Sequence, residues 1–534
     1  MERLLLQFVV WLAVMLWRLL QLLFRGLRSL ARRLAARWAN RNGSPQPNLR
    51  PAPTSLLAAP VSRVAAQSSA VTAGLKRELA VLIAKADEEA ARCATEEANE
   101  RFTDTLSTYV AGQARRAGAL LNQGSPNIVP QVQRFLPQLA FVLETVTTMA
   151  EQRRDPTRLL LLGDADALAE ACYRPLLELG QGSGLRLTSS RAATILGDKD
   201  LAIFVGFVPT GLAPIILPSA WATEIGWWPA LGHEIGHDFY ASVQGFSAEM
   251  RTTCGLDGKG GLARPLAAIT LTDVEAAYAC WGEELFADVF GTLMLGAAYV
   301  TTMIWIFANP KTPESVTAIR PVAVDQSFST YEEHPPAHLR VVLMCWLLGE
   351  IGFPTEAAVL EKEWRTKHGN PETLLVPTEA RVWYRVDEDP YIARGRELVS
   401  TLYLSPFTTL AGRALRSIPG LDLGPREHQA ALDARDSFLA GRESRTRDPR
   451  SLIAGAVLAW KERPALAARV LEAARATVPA VGVSRRQLRL REARETSAIA
   501  GADGSELGLS AWRDAFAFGE VIRPPRASRL SRRL

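Results

Sequence analysis

Residues 233–237 read His-Glu-Ile-Gly-His, and this pentapeptide constrains the fold more than any other stretch of the chain. Side chains four positions apart lie on one face of an α-helix, so His233 and His237 can direct their imidazoles at one point. Two imidazole nitrogens at this spacing suit a zinc ion, and Glu234 then lies beside its open coordination position. A carboxylate there can take a proton from a metal-bound water. The pentapeptide therefore predicts a helix that carries a site for metal-assisted hydrolysis.

A group of acids about 45 residues later offers the third protein ligand that zinc needs. Residues 283–288 read Glu-Glu-Leu-Phe-Ala-Asp, in which Glu284 and Asp288 share a helix face. We expect Glu284 to bind the metal and Asp288 to orient a ligand histidine from behind. Glu283 is the alternative ligand, but Ala287 rather than an acid follows it by four positions.

These acids lie in a long apolar run that predicts a helix from about residue 273 to 307. A run of this length would also suit a membrane span. Thr301 and Thr302 inside it, and Asp288 near its start, favour a buried core helix instead. Acids inside a buried helix are rarely left unpaired, which supports a functional role for them.

A third cluster occupies residues 331–340 and contains two more of the 6 histidines of the chain. Hydrolysis of an acyl group needs a donor that stabilises the developing oxyanion. The candidates for this role are Tyr331, His334, His338 and Arg340. The alternative is a polar loop whose prolines lead into the next helix.

Short apolar runs ahead of the histidine-bearing helix predict strands at residues 159–162, 185–188, 201–207 and 214–218. The last of these is closed by prolines, which is typical of a sheet edge. An edge strand can pair with an extended peptide, so Ile215, Ile216 and Leu217 are candidates for substrate binding. The sequence thus predicts an α+β fold that is mostly helical, with a small sheet before the metal-bearing helix.

The motifs His-Glu-Ile-Gly-His, Glu-Leu-Phe-Ala-Asp and His-Pro-Pro…Arg, in this order, resemble those of the gluzincin zinc metallopeptidases. Their order is most similar to that of the HtpX and CaaX-prenyl endopeptidase family. The resemblance implies a zincin-like catalytic domain in which Zn²⁺ is held by His233, His237 and Glu284, with Glu234 as general base and Asp288 behind the ligands. The third motif of the family matches His334, Pro335 and Arg340. The match covers roughly residues 214–345, and the multi-span membrane layout of the family is not evident. Its substrate specificity is therefore not implied.

The N-terminus gives the second strong signal. Residues 4–24 are almost wholly apolar, and a series of arginines from Arg25 to Arg37 follows them, where a secretory signal would have a small-residue cleavage site. As a spanning helix the stretch is barely long enough and contains Arg18, whereas its polar stripe fits an interfacial helix. Both interpretations predict a membrane-associated protein whose bulk is cytoplasmic. A helix that packs on another protein is the alternative.

Composition divides the chain into six regions. They are a basic amphipathic membrane-associated helix (1–38), a linker (39–70), a helical region (71–155), a metallopeptidase domain (156–350), a helical C-terminal region (351–515) and a basic tail (516–534). The net charge of +5 is small for 534 residues, so no specific nucleic-acid partner is expected. The 5 cysteines are scattered without a Cys-x-x-Cys pair, which indicates a reducing compartment rather than a disulfide framework.

Two hypotheses follow. The first is a zinc-dependent metallopeptidase that hydrolyses protein or peptide substrates and is tethered at the cytoplasmic side of a membrane. The second is a non-catalytic membrane-associated scaffold or sensor whose zinc site is structural or inactive. A structural site is usually closed by a fourth Cys or His and does not need Glu234, which favours the first hypothesis.

Overall fold

The computed structural model of the protein describes residues 58–124, 128–183, 189–198, 201–204, 211–257, 264–265, 273–308, 316–319, 321–323, 328–377, 383–421 and 423–477. Its contacts divide the chain into two units, Met1–Ala70 and Val71–Leu534. The predicted membrane helix at 1–38 and the basic tail at 516–534 lie outside the described residues. The predicted linker at 39–70 is described from residue 58 onwards and is helical there. Pro60 falls in the first turn of that helix, where its missing N–H costs no hydrogen bond.

The described residues are mostly helical with small sheets, which confirms the predicted fold class at this level. The helices are α1 (Ala58–Ala94), α2 (Gly112–Asn122), α3 (Ile128–Arg154), α4 (Pro156–Ser183), α5 (Ser219–Ala222), α6 (Ala230–Ser242), α7 (Phe246–Thr253), α8 (Val274–Phe307), α9 (Ala337–Glu350), α10 (Pro354–His368), α11 (Asp389–Leu404), α12 (Pro425–Leu439), α13 (Pro449–Glu462) and α14 (Ala467–Thr477). A π-helical segment, Thr105–Ala111, precedes α2, and short 3₁₀ turns occur at Glu100–Phe102, Ile225–Trp227, Thr408–Leu410, Leu415–Ser417 and Pro464–Leu466. The strands are β1 (Ser189–Gly197), β2 (Ala202–Ile203), β3 (Gly211–Pro218), β4 (Arg264–Pro265), β5 (Pro321–Ala323), β6 (Phe328–Tyr331), β7 (Thr373–Pro377) and β8 (Trp383–Asp387).

The long apolar run forms helix α8, with the bounds that the sequence predicts. Asp273 caps its N-terminus by accepting a hydrogen bond from the N–H of Ala276 at 2.9 Å. Among the described residues, α8 is the one helix long and apolar enough to cross a membrane, and its most apolar window is 94% buried within the protein. This burial is consistent with a core helix.

The first sheet has the strand order β1-β3-β2, with β1 parallel and β2 antiparallel to β3. The prediction that Ile215, Ile216 and Leu217 form a sheet edge is therefore wrong. β1 pairs along all of β3, and β2 covers its other side at Ile215 and Ile216. Pro214 is compatible with a central strand because its carbonyl still accepts from the N–H of Phe204 at 2.9 Å. β2 is the edge strand beside the candidate site.

Both faces of this sheet are buried, against different helices. Ala193, Ile195 and Ile216 pack into a core formed with α1, α2 and α3. Ile203 and Ile215, which alternate with them, pack into the main core with α4, α6 and α8. The period-two alternation of strand side chains thus joins two helical layers through one sheet.

The other predicted strands have mixed outcomes. Residues 159–162 are part of helix α4, because a four-residue apolar run cannot distinguish a strand from a buried helical turn. Residues 185–188 lie outside the described residues, and of 201–207 only β2 is a described strand. Two further sheets have the strand orders β4-β6-β5 and β7-β8.

Candidate metal site

Helix α6 carries the pentapeptide and packs closely on α8. His233 and His237 are each 2% exposed and Glu234 is 1% exposed. Gly236 allows this close approach, since a Cβ atom there would lie 2.8 Å from the Cα atom of Ala287 on α8. The contact brings the histidine face of α6 directly against the acidic turn of α8.

His233, His237 and Glu284 form the one group of potential metal ligands found among the described residues, with their ligand atoms all within 4.8 Å of one another. The two histidine Nε2 atoms are 3.1 Å apart, and each lies 3.3 Å from an oxygen of Glu284. Zinc bonds of about 2.0–2.1 Å at tetrahedral angles separate two ligand atoms by about 3.3 Å. Each of these three spacings is close to that between two zinc ligands, although His233 is nearest to Oε2 of Glu284 and His237 is nearest to Oε1.

The charge of the site is also compatible with a bound cation. Glu234, Glu284 and Asp288 are each at most 5% exposed, and Glu283 is close beside them with 13% of its side chain exposed. Arg340 is the arginine that contacts this group, through Asp288 and Glu284. Several buried carboxylates against one guanidinium leave an excess of negative charge, which a divalent cation would compensate.

Asp288 lies on the Nδ1 side of His233. Its Oδ1 atom is 3.2 Å from His233 Nδ1, so it can hold the ring with Nε2 facing the other ligands. Arg340 on α9 donates to Asp288 from Nε and Nη2, both at 2.7 Å. Burial would raise the pKa of Asp288, but Arg340 outweighs it and holds this pKa well below its ordinary value. Arg340, one of the candidate oxyanion donors, is thus directed at the carboxylate that contacts His233.

Tyr299 completes this support and was not found from the sequence. Its hydroxyl donates to Asp288 Oδ1 at 2.7 Å and lies 3.2 Å from His233 Nδ1. An unbroken helix would place residues 288 and 299 about 16 Å apart along its axis. Gly296 breaks α8 with φ +56° and ψ −135°, a conformation that glycine adopts without strain, and the break returns Tyr299 to Asp288.

Glu283, the rejected alternative for third ligand, contacts the other histidine. Its Oε1 atom is 3.2 Å from His237 Nδ1, on the opposite side of the ring from Glu284. Burial would lower the pKa of His237, but Glu284 and Glu283 raise it well above its ordinary value. Burial would raise the pKa of Glu284, yet His334 and His237 hold it well below the ordinary range. These opposite shifts have one cause, the close approach of the Glu284 carboxylate to the imidazole rings.

Glu234 lies beside the candidate ligands. Its carboxylate accepts a backbone hydrogen bond from Ile203 on the edge strand β2, while its buried Oε2 atom has no hydrogen-bond partner in the described part of the chain. Burial raises the pKa of Glu234. A buried carboxylate oxygen with a free lone pair, beside the three ligands, is suited to accept a proton.

The cluster at 331–340 divides between two locations. His334 Nε2 lies 3.2 Å from Glu284 Oε1, and the segment is fixed by a hydrogen bond from Trp281 Nε1 to the carbonyl of Glu332 at 2.9 Å. His334 does not belong to the compact ligand group. Burial lowers the pKa of His334, which favours the neutral ring. Tyr331 packs edge-to-face on Trp281.

His338 is not at the site. It is fully buried in α9, where its Nδ1 accepts from Trp364 Nε1 at 3.0 Å and its Nε2 faces Glu388 at 3.1 Å. Burial lowers its pKa to about 4. His338 and His334 are four positions apart in sequence, but residues 332–336 are not helical, so the two rings do not share a face. The structure therefore corrects the prediction that His338 is a candidate oxyanion donor.

Comparison of the chain with protein-family models, with curated proteins and with solved structures found no match. A functional assignment therefore depends on the residues of the site.

Proposed function

We propose that the protein is a zinc-dependent metallopeptidase. The observation that supports this most directly is the triangle of His233, His237 and Glu284 ligand atoms, with the free Oε2 of Glu234 beside it. The donor set of two imidazoles and one carboxylate is that of catalytic zinc sites, which keep a fourth position open. The gluzincin resemblance of the motif order gives the same assignment, including a zincin-like domain around this site.

In the proposed reaction, the protein residues move one proton and stabilise one charge. Bound zinc supplies a Lewis acid that makes a water molecule acidic near neutral pH. Glu234 takes a proton from the attacking water at Oε2 and gives it to the leaving amine. His334 is the candidate that donates a hydrogen bond to the developing oxyanion, since its ring lies beside Glu284.

The edge strand β2 provides a place for an extended peptide. Among the described strands, β2 pairs with β3 alone, and Ile203 links it to the carboxylate of Glu234. A peptide added to this edge would lie next to the proton acceptor Glu234. Ile215, Ile216 and Leu217 of β3 do not offer this position.

A Glu234→Gln variant tests the function. Glutamine keeps the shape of the side chain but cannot accept the proton, so we expect zinc content to stay at the wild-type level while hydrolysis of unfolded casein falls about 10²–10⁴-fold. Glu333→Gln, which changes an exposed acid near the site, is the matched control and should keep activity. Chelator-sensitive casein cleavage by wild type and full activity in Glu234→Gln would contradict the mechanism. A zinc-loaded wild type without cleavage of any peptide library would favour a scaffold or sensor.

We also propose that residues 1–38 tether the protein to a membrane with its bulk on the cytoplasmic side. The support is the apolar stretch at 4–24 and the arginines that follow it. Deletion of residues 1–38 should move the protein from sedimenting membranes to the supernatant without loss of zinc. Equal sedimentation of both forms would contradict the tether.

A further inference from the structure

Glu283 occupies a position toward His237 that matches the position of Asp288 toward His233. In each pair a carboxylate oxygen lies 3.2 Å from the Nδ1 atom, and the Nε2 atom of the same ring faces Glu284. All three acids belong to two successive turns of α8. One helix therefore supplies a ligand carboxylate together with an acid behind each ligand histidine.

We infer that Glu283 is a positioning residue for the metal, which acts by fixing His237. This inference rests on the proposed zinc site. A hydrogen bond from Nδ1–H of His237 to Glu283 leaves the lone pair of Nε2 free and directed at the site. Without that acceptor the ring can take the other tautomer, in which Nε2 carries the proton and cannot bind a metal.

The geometry separates this role from that of a ligand. Glu283 contacts the Nδ1 side of His237, whereas the shared ligand group is formed on the Nε2 side by Glu284. Loss of a ligand removes the metal, but loss of an outer carboxylate weakens metal binding about 10–100-fold. The two histidines also differ in how well they are held, since Asp288 is itself bound by Arg340 and Tyr299. His237 thus depends on Glu283 for its orientation.

The experiment measures zinc affinity by competition with a chromogenic chelator and the visible spectrum of the Co²⁺-substituted protein. Glu283→Ala should weaken zinc binding about 10–100-fold and alter the Co²⁺ bands, because His237 loses its orienting acceptor. Glu283→Gln keeps an amide carbonyl that can accept from Nδ1–H, so it should recover most of the affinity. Glu333→Ala removes an exposed carboxylate close to the site and should match wild type.

Each outcome has one interpretation. Wild-type affinity and an unchanged Co²⁺ spectrum in both Glu283 variants would overturn the positioning role. Complete loss of metal in Glu283→Ala, equal to that in Glu284→Ala, would make Glu283 a ligand and also overturn it. A wild-type protein that binds neither zinc nor Co²⁺ would overturn the proposed function itself.

Discussion

Whether His334 joins the ligands decides whether the candidate metal site is closed or open. Its Nε2 atom lies 3.2 Å from Glu284, so the ring is close to the ligands without belonging to their compact group. A histidine that became a fourth ligand would close the site and favour a structural role. A histidine that stays outside the ligand set can donate to an oxyanion.

His334→Ala distinguishes these two roles. In the proposed peptidase we expect zinc affinity to stay within about threefold of wild type, while casein hydrolysis falls about 10²–10³-fold because a donor to the oxyanion is lost. The measurement combines chelator competition with steady-state hydrolysis. His428→Ala, a change at a histidine that pairs with Glu356 instead, is the control. Release of zinc by His334→Ala would support the closed site and contradict the proposed function.

The candidate ligand group was predictable because it depends on local geometry. His233 and His237 share a helix face by spacing alone, and the same rule places Glu284 and Asp288 together. The roles of Tyr299 and Glu283 were not predictable in this way. Tyr299 reaches Asp288 only because α8 breaks at Gly296. The apolar residues around that glycine are equally compatible with an unbroken helix, so the sequence does not predict the break. Glu283 contacts the ring of His237 only because α6 packs on α8.

Gly236 allows helices α6 and α8 to approach each other closely. Gly236 lies inside the pentapeptide, between Glu234 and His237, and faces Ala287 one turn after Glu283 and Glu284. The metal chemistry of the motif does not specify which residue occupies position 236. Packing specifies it here, because a larger side chain would separate the two histidines from their carboxylate.

Gly236→Ala should therefore weaken both folding and metal binding. The added Cβ atom would lie 2.8 Å from Ala287 Cα and 3.2 Å from its carbonyl oxygen, neither of which can move alone. Overpacking of this kind costs about 1–3 kcal/mol of unfolding free energy, and we expect zinc affinity to fall at least tenfold. Urea unfolding and chelator competition measure the two effects. Gly118→Ala in α2 meets nothing within 4 Å and should instead stabilise by about 0.5–1 kcal/mol. Unchanged zinc affinity in Gly236→Ala would contradict the argument.

The sheet shows where prediction from sequence fails for a whole element. The prolines around Ile215–Leu217 suggested an edge, but the place of a strand in its sheet depends on which other strands pair with it. β2 is only two residues long, and its pairing with β3 leaves little sequence signal. The small size of β2 also explains why the sequence places the sheet edge at β3 instead.

The two helical layers are joined by a buried ion cluster as well as by the sheet. Asp166 on α4 is fully buried and accepts from Arg153 on α3 at 2.7 Å, from Arg101, and from both the N–H and the hydroxyl of Thr194 on β1 at 2.7 Å. Each acceptor site of the carboxylate is used, so the charge is well compensated. The cluster fixes α3 and α4 against the strand that pairs with β3, and thereby supports the sheet next to the metal site.

Asp166→Asn should destabilise the protein in a pH-dependent manner. Burial raises the pKa of Asp166, but Arg101 and Arg153 outweigh it and lower this pKa from 3.8 to about 2. A lowered carboxyl pKa contributes stability that is present above the unfolded value and is lost as the pH falls toward the folded value.

At pH 7 we expect Asp166→Asn to lose about 3–5 kcal/mol of unfolding free energy, because two buried guanidinium groups lose their anion. About 2 kcal/mol of this difference should disappear between pH 5 and pH 2. Urea unfolding at pH 7, 5, 4, 3 and 2 measures the difference. Asp87→Asn breaks the exposed pair of Asp87 with Arg115 and should cost less than about 1 kcal/mol at every pH. A difference between wild type and Asp166→Asn that grows as the pH falls would contradict the assigned direction of the pKa shift.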